Sequence, residues 1–242
     1  MTPRLERAES RNVSKIYGRH RALHKVSLTL VAGRVTALLG PNGSGKTTLL
    51  SLFSTLSRPS SGTMHFGELP PEKSKLARGA IGLLSHASLS YGELSAKENV
   101  AFFGRLAGIR DPYDAARRLL VEFGLEDAMD RPARTFSRGM LQRLGLARAL
   151  VSNPSLVLLD EPFTGLDRAS AARVVEKVAE LRDAGAIVLL VSHDLGITAE
   201  LADDAAILVR GKLAHRHEGR LGPDAFRALY TDAVEAKKEA AA

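Results

Sequence analysis

A buried strand and a glycine-rich turn meet in VTALLGPNGSGKTT, Val35–Thr48. The first five residues are nearly all apolar, which predicts a strand covered on both faces. The following residues match the pattern Gly-x4-Gly-Lys-Thr, and helical spacing then continues through Leu49, Leu52, Phe53 and Leu56. A glycine-rich turn between a strand and a helix is typical of a P-loop, so the sequence predicts a site for phosphate groups.

Each residue type in this turn suits the chemistry of a triphosphate. Glycines let backbone N–H groups face the phosphates, and Lys46 places a positive charge on the β- and γ-phosphates. The Thr47 hydroxyl is a hard oxygen ligand for Mg²⁺. The residues expected to bind the nucleotide are Gly40, Pro41, Asn42, Gly43, Ser44, Gly45, Lys46, Thr47 and Thr48.

Two further apolar segments end in polar residues. The strand pattern of Ser155–Leu159 leads into Asp160 and Glu161, and Ala186–Val191 is followed by His193. Because parallel strands end on one edge of a sheet, these side chains should meet the P-loop. We expect Asp160 to hold Mg²⁺ through water, in addition to the Thr47 hydroxyl, and Glu161 to deprotonate the attacking water. The expected catalytic residues are Lys46, Glu161 and His193.

The rest of the chain predicts βαβ units interrupted by a block of helices. Helical patterns at Ala96–Leu106, Asp114–Phe123 and Arg138–Val151 follow one another with little strand signal. The tail, Asp224–Ala242, is typical of a frayed surface helix. The expected units are residues 1–84 (nucleotide-binding core, first part), 85–153 (helical subdomain), 154–222 (core, second part) and 223–242 (helical tail).

Composition excludes several classes of protein. The 242 residues include no Cys, which removes disulfides, thiolate zinc sites and iron–sulfur clusters. No stretch approaches the roughly 18 apolar residues of a membrane span, and residues 1–18 lack a secretory core. The formal net charge of +7 favours anionic partners without choosing among them. These features predict a cytoplasmic protein.

Taken together, the motifs resemble those of the ATP-binding subunit of an ABC transporter. The resemblance rests on Phe136–Arg143 (FSRGMLQR), Thr164–Asp167 (TGLD) and Ser192–Asp194 (SHD), and on Tyr17, which lies 23 residues before Gly40. It implies an α/β P-loop NTPase fold, in which a RecA-like parallel sheet core carries an antiparallel β subdomain and an inserted helical subdomain.

The resemblance also implies an activity and an assembly. The protein would be an ATPase that uses ATP and Mg²⁺, with Tyr17 stacked on the adenine. Two copies, as a homodimer, would close head-to-tail on two ATP molecules. The residues that would act in trans are Ser137, Arg138, Gly139 and Asp167. Integral membrane subunits on separate chains would hold the dimer on the inner face of the cell membrane, and no nucleic acid is expected.

Two sites, the signature segment and the position of His86, depart from the family pattern. Arg138 and Met140 stand where the signature segment has Gly and Gln, and Arg138 either adds charge near the nucleotide or points to solvent. His86 stands where the family has a Gln that contacts Mg²⁺, and the only glutamine in the chain is Gln142. Since imidazole ligates Mg²⁺ weakly, we expect His86 to serve in coupling to the membrane partner, with at most a water-mediated metal contact.

Both departures resemble the ATP-binding subunit of haem exporters of cytochrome c maturation. Subunits of ABC-2 type exporters also carry Ser-[Lys/Arg]-Gly-Met, so an exporter of another substrate remains the alternative. The pair His215 and His217 lies in a polar stretch and is interpreted as a solvated surface feature, not a haem site.

Two other functions compete with transport. An ABC ATPase acting on nucleic acid is disfavoured by the single P-loop, the dispersed Lys and Arg residues, and the presence of 4 Tyr without Trp for base stacking. An inactive scaffold is disfavoured because the residues that chemistry needs are all present: Lys46, Asp160, Glu161 and His193.

Overall fold

The computed structural model describes residues 4–85 and 89–239, so His86 lies outside the described residues. The strands are β1 (Arg7–Tyr17), β2 (His20–Val31), β3 (Arg34–Leu39), β4 (Ser61–Phe66), β5 (Ile81–Leu84), β6 (Leu156–Asp160), β7 (Ile187–Val191), β8 (Asp204–Val209) and β9 (Lys212–Glu218). The α-helices are α1 (Lys46–Phe53), α2 (Ala96–Leu106), α3 (Pro112–Glu122), α4 (Arg138–Leu150), α5 (Arg168–Asp183), α6 (Leu195–Leu201) and α7 (Pro223–Glu239). The 3₁₀ segments are Pro71–Ala80, Glu126–Ala128 and Ala133–Thr135.

Six strands form the main sheet, in the order β5-β6-β7-β3-β8-β9. The first five are mutually parallel, and β9 runs antiparallel to β8 at one edge. Every residue of β6, β7 and β8 is buried, because the sheet is covered on both faces. The carboxyl ends of β3, β6 and β7 therefore lie on one edge of this sheet.

A second, antiparallel sheet has the order β2-β1-β4. Its apolar side chains share a core with α1 and with one face of the main sheet, through residues such as Leu28, Leu49 and Leu158. Helices α2, α3 and α4 form a block inserted between β5 and β6. These features confirm the expected fold class, an α/β P-loop NTPase with an antiparallel sheet and inserted helices.

The helix after the P-loop is shorter than its apolar pattern predicts. Helix α1 ends at Phe53, and Thr55 adopts a left-handed backbone with φ of 57°. The Ser57 N–H then donates to the Ser51 carbonyl at 3.0 Å, which closes the end of the helix. Leu56 is consequently 68% exposed, so its expected place on the buried helical face was wrong.

Two strands were not expected from sequence. Strand β1 is rich in charged and polar residues, and β9 contains His215 and His217, which pair with Ile207 and Ala205 of β8. The C-terminal helix is also better anchored than a frayed surface helix. Phe226 of α7 is only 2% exposed and packs with Leu39, Ile207 and their neighbours.

Candidate functional site

The P-loop joins β3 to α1 and is held from outside by two segments. The Ser44 carbonyl accepts the Gly211 N–H at 2.9 Å, and the Gly211 carbonyl accepts the His24 N–H at 2.7 Å. At Gly45, φ is 105° and an added Cβ would lie 2.7 Å from the Ala22 carbonyl oxygen. A side chain cannot be accommodated there, so the close approach of β2 requires glycine.

The Lys46 ammonium lies inside the loop that it follows. Its Nζ donates to the Gly40 carbonyl at 2.7 Å and to the Pro41 carbonyl at 3.1 Å, and the residue is 8% exposed. Burial lowers the pKa of Lys46 below its ordinary value, while the nearby carboxylates of Glu161 and Asp160 act in the opposite direction. This buried cation would be stabilised by an anion in the loop.

The two carboxylates occupy the end of β6. Asp160 is its last residue and is 5% exposed. Glu161 follows with φ of 54°, and its N–H donates to the Val191 carbonyl at 2.8 Å. This uncommon left-handed backbone turns the Glu161 side chain toward the end of β7.

His193 approaches the Glu161 carboxylate by two routes. Its backbone N–H donates to Glu161 Oε2 at 3.2 Å, and its ring Nε2 lies 3.3 Å from Oε1. The ring contact lies within ion-pair distance but is not aligned as a hydrogen bond. The buried Oε1 therefore has no hydrogen-bond partner in the described part of the chain. Oε1 is therefore a buried acceptor at the edge of the cleft.

One cleft of about 680 Å³ joins these groups. It is lined by Tyr17, His20, Ala22, Asn42, Gly43, Ser44, Gly45, Lys46, Thr47, Thr48, Asp160, Glu161, Thr164, Val191 and His193. The structure thus brings most of the P-loop, the strand-end carboxylates, the histidine and the aromatic residue together. Lys15 Nζ lies 5.0 Å from the centre of the half-exposed Tyr17 ring.

The residues expected to act in trans lie outside that cleft. Ser137 caps α4, its Oγ accepting the Met140 N–H at 3.3 Å. Asp167 caps α5 by accepting the Ser170 N–H at 2.7 Å, and this bond lowers the pKa of the exposed Asp167 carboxyl. Gly139 packs against Gly165, where an added Cβ would lie 2.8 Å from the Gly165 carbonyl oxygen. Ser137 and Arg138 are exposed, whereas Gly139 is partly buried.

Two residues near the site were not predicted. His20 lines the cleft because a tight turn pairs it directly with Tyr17, and the Gly18-Arg19 dipeptide was the available signal. Gln142 Nε2 donates to the Glu161 carbonyl at 2.9 Å. No local pattern in the sequence indicates that contact, since it joins residues 19 positions apart.

The oxygen ligands fit a hydrated divalent cation. Thr47 and Asp160 both line the cleft, and they supply a hydroxyl and a carboxylate oxygen. Among residues 4–85 and 89–239, no three His, Cys, Asp or Glu side chains form a group that could hold a metal by themselves. A hydroxyl and a carboxylate oxygen are donors that suit Mg²⁺, which takes few protein ligands and completes its shell with water and phosphate oxygens.

The amino-acid sequence of this chain is similar to those of known proteins. Residues 23–164 match the model of the ABC transporter family. The chain is 36% identical over 207 residues to the Nod factor export ATP-binding protein I of Cupriavidus metallidurans, covering 84% of this chain and 68% of that protein. It is 38% identical over 209 residues to the daunorubicin/doxorubicin resistance ATP-binding protein DrrA of Streptomyces peucetius, covering 85% and 63%.

A solved structure extends the comparison to the fold. It is a dimeric ATP-binding cassette in a post-hydrolysis state, bound to ADP and Pi. The two chains share 25% identity with a TM-score of 0.80, over 89% of this chain and 100% of the other. No helix in the described part of this chain has the length and apolar character needed to cross a membrane.

Proposed function

This chain belongs to the ABC transporter family, and we propose that it is the ATP-hydrolysing subunit that powers a membrane exporter. The observation that carries the proposal is the single cleft shared by Lys46, Asp160, Glu161 and His193. A cradle of backbone N–H groups, a buried cation and two carboxylates is the combination that phosphoryl transfer to water requires.

In the proposed reaction the P-loop and Lys46 hold the triphosphate and neutralise its charge. Glu161 Oε1, a buried acceptor without a partner among the described residues, takes the proton from the attacking water. His193 lies beside that carboxylate and orients it. Thr47 and Asp160 would hold Mg²⁺, which neutralises charge on the phosphate oxygens when bound.

We propose that the site is completed by a second copy of the chain. Ser137, Arg138, Gly139 and Asp167 all lie outside the cleft of their own subunit. In a head-to-tail dimer, Ser137 and the Gly139 N–H would reach the phosphate held by the partner. Dimerisation would then depend on ATP, because the nucleotide supplies the contact between subunits.

An apolar groove supports a partnership with membrane subunits. Its volume is about 550 Å³, and it lies between the main sheet and the helical block. Its apolar lining includes Leu56, Leu83, Leu89, Phe103 and Leu106. We propose that a cytoplasmic segment of the membrane subunit docks here and places the protein on the inner face of the membrane.

One buried cation gives this groove a chemical preference. Arg148 is 6% exposed, and its guanidinium lies 5.0 Å from the centre of the Phe103 ring. Its Nη1 has no hydrogen-bond partner among the described residues, and burial lowers its pKa. A carboxylate or carbonyl oxygen on the docked segment would satisfy this group.

The cargo is proposed from two features of the sequence and from the relatives. His86 and the segment Ser137–Met140 favour haem export in cytochrome c maturation. The relatives named for Nod factor export and drug resistance favour another substrate of an ABC-2 type exporter. Co-purification of the membrane subunit, followed by measurement of its bound haem and of haem-stimulated ATPase activity, distinguishes the two cargo classes.

The proposed activity is tested by ATP binding and hydrolysis of the purified protein with Mg²⁺. We expect Lys46→Ala to lose ATP-dependent dimerisation and hydrolysis, because it removes the charge that the triphosphate needs. Lys73→Ala, which changes an exposed lysine away from the cleft, is the matched control and should behave as the wild type. Wild-type protein that neither binds ATP nor dimerises with it would contradict the proposal.

A further inference from the structure

Glu161 keeps a backbone conformation that its own residue type does not favour. Its φ of 54° lies in the left-handed region, which a non-glycine residue with a long side chain occupies only when neighbouring contacts hold it there. The direction of the carboxylate depends on this angle. Whatever holds the Glu161 backbone therefore also sets where its carboxylate points.

Three hydrogen bonds hold the Glu161 peptide groups. The N–H donates to the Val191 carbonyl at 2.8 Å, and the carbonyl accepts the Thr164 N–H at 3.2 Å. The third bond comes from Gln142 Nε2, at 2.9 Å from the same carbonyl oxygen. Among the described residues, this is the only one of the three bonds that comes from a side chain. A substitution at Gln142 can therefore remove it.

Gln142 belongs to a face of α4 that runs along the segment after β6. The residues of this face recur with helical spacing and line a cavity of about 210 Å³ together with Asp160, Glu161 and Thr164. They are Arg138, Leu141, Gln142, Gly145 and Arg148. One turn before Gln142, the backbone of Gly139 packs directly on the Gly165 carbonyl. Helix α4 therefore contacts the segment after β6 at two positions, one helical turn apart.

We propose that Gln142 is a positioning residue that fixes the carboxylate of Glu161 by holding its backbone. The inference rests on the proposed function, in which Glu161 is the base and Ser137 and Gly139 contact the ATP of the partner. Gln142 then links the two ATP sites. A shift of α4 caused by the partner's phosphate reaches the base of the same subunit through one hydrogen bond.

The test uses Gln142→Met, which keeps side-chain length and helix propensity but removes the donor. We expect kcat to fall by about 10- to 100-fold, the cost of a misplaced catalytic group, with KM for ATP changed by less than about twofold. Gln142→Lys retains N–H donors and should recover part of the lost kcat. As a control, Arg117→Met introduces methionine at an exposed position of α3 and should match the wild type.

A double variant separates positioning from a general structural role. If Gln142 acts only through Glu161, then Gln142→Met should slow Glu161→Gln by less than about twofold, because the two changes affect one step. The inference is overturned if Gln142→Met hydrolyses ATP at the wild-type rate, if Gln142→Lys is no better than Gln142→Met, or if the two losses multiply. Wild-type hydrolysis by Glu161→Gln alone would instead overturn the proposed role of Glu161 as the base.

Discussion

The ring of His193 stands 3.3 Å from the carboxylate of Glu161, although the two residues are 32 positions apart and follow different strands. The contact exists because β6 and β7 are parallel neighbours whose last residues, Asp160 and Val191, are paired. The exposed histidine can therefore respond to a ligand in the cleft while it stays in contact with the carboxylate. This contact between an exposed imidazole and a largely buried carboxylate suits a catalytic base that must be oriented.

Replacing Glu161 with Gln should slow ATP hydrolysis by about 10² to 10⁴, the usual contribution of a positioned general base. ATP binding should persist, because the cradle and Lys46 are unchanged, so the variant should accumulate as an ATP-bound dimer. Turnover assays and gel filtration with ATP and Mg²⁺ measure both effects. Glu126→Gln, at an exposed position, is the control. Normal turnover by Glu161→Gln would remove it as the base.

The Lys46 pKa predicts that ATP binding weakens at alkaline pH. Burial lowers this pKa below 10.5, whereas a bound triphosphate favours the charged ammonium and raises it again. Between the two pKa values, binding requires proton uptake, so affinity should fall as pH rises through the lower one. Calorimetry in buffers of different ionisation enthalpy measures this uptake. Lys46→Arg, which stays charged, should lose the alkaline dependence; its persistence there would assign the effect to another group.

The meeting of the site residues could be predicted because it follows from the sheet. Apolar runs ending at Leu39, Asp160 and Val191 are parallel strands, and parallel strands place their next residues on one edge. This prediction did not require the order of the strands in the sheet, in which β3 and β7 are neighbours. The position of each apolar run along the chain, and the burial that its composition predicts, were sufficient.

Other features depend on contacts that no local pattern records. Strand β1 carries Arg7, Glu9 and Arg11, whose charges pair with one another, so its sequence lacks the alternation typical of a strand. Helix α1 ends early because of the left-handed turn at Thr55. The bond from Gln142 to Glu161 requires the placement of α4 against the main sheet, which helical periodicity does not determine.

Leu106→Glu should prevent capture of the membrane subunit. Leu106 is 70% exposed and lines the apolar groove, where a carboxylate would oppose an apolar segment. The matched control is Leu76→Glu, because Leu76 is 61% exposed and lies outside the groove. Co-purification from membranes measures the effect, with the ATP-dependent dimer of each variant as a check on folding. Equal capture of both variants would exclude the groove as the docking surface.

Phe226→Ala should destabilise the fold by about 3 to 5 kcal/mol, the usual cost of removing a large buried side chain. The ring is 2% exposed and anchors α7 on the main sheet, so its loss leaves a cavity beside β8. Phe102→Ala, at a residue 37% exposed, should cost much less. Chemical denaturation measures both. A cost near zero for Phe226→Ala would mean that α7 is indeed a frayed helix.

Mixing two inactive variants should restore hydrolysis if each ATP site uses both subunits. Glu161→Gln lacks the base, and Ser137→Asp keeps the cap of α4 but places a negative charge where the partner's phosphate would lie. In a mixed head-to-tail dimer both changes fall in one site, which leaves the other site intact. Random pairing predicts about a quarter of the wild-type rate, because half of the dimers are mixed and each has one working site. Steady-state hydrolysis, measured after the variants are mixed without nucleotide, should therefore exceed the sum of the separate rates, whereas simple addition would mean that each subunit hydrolyses ATP alone.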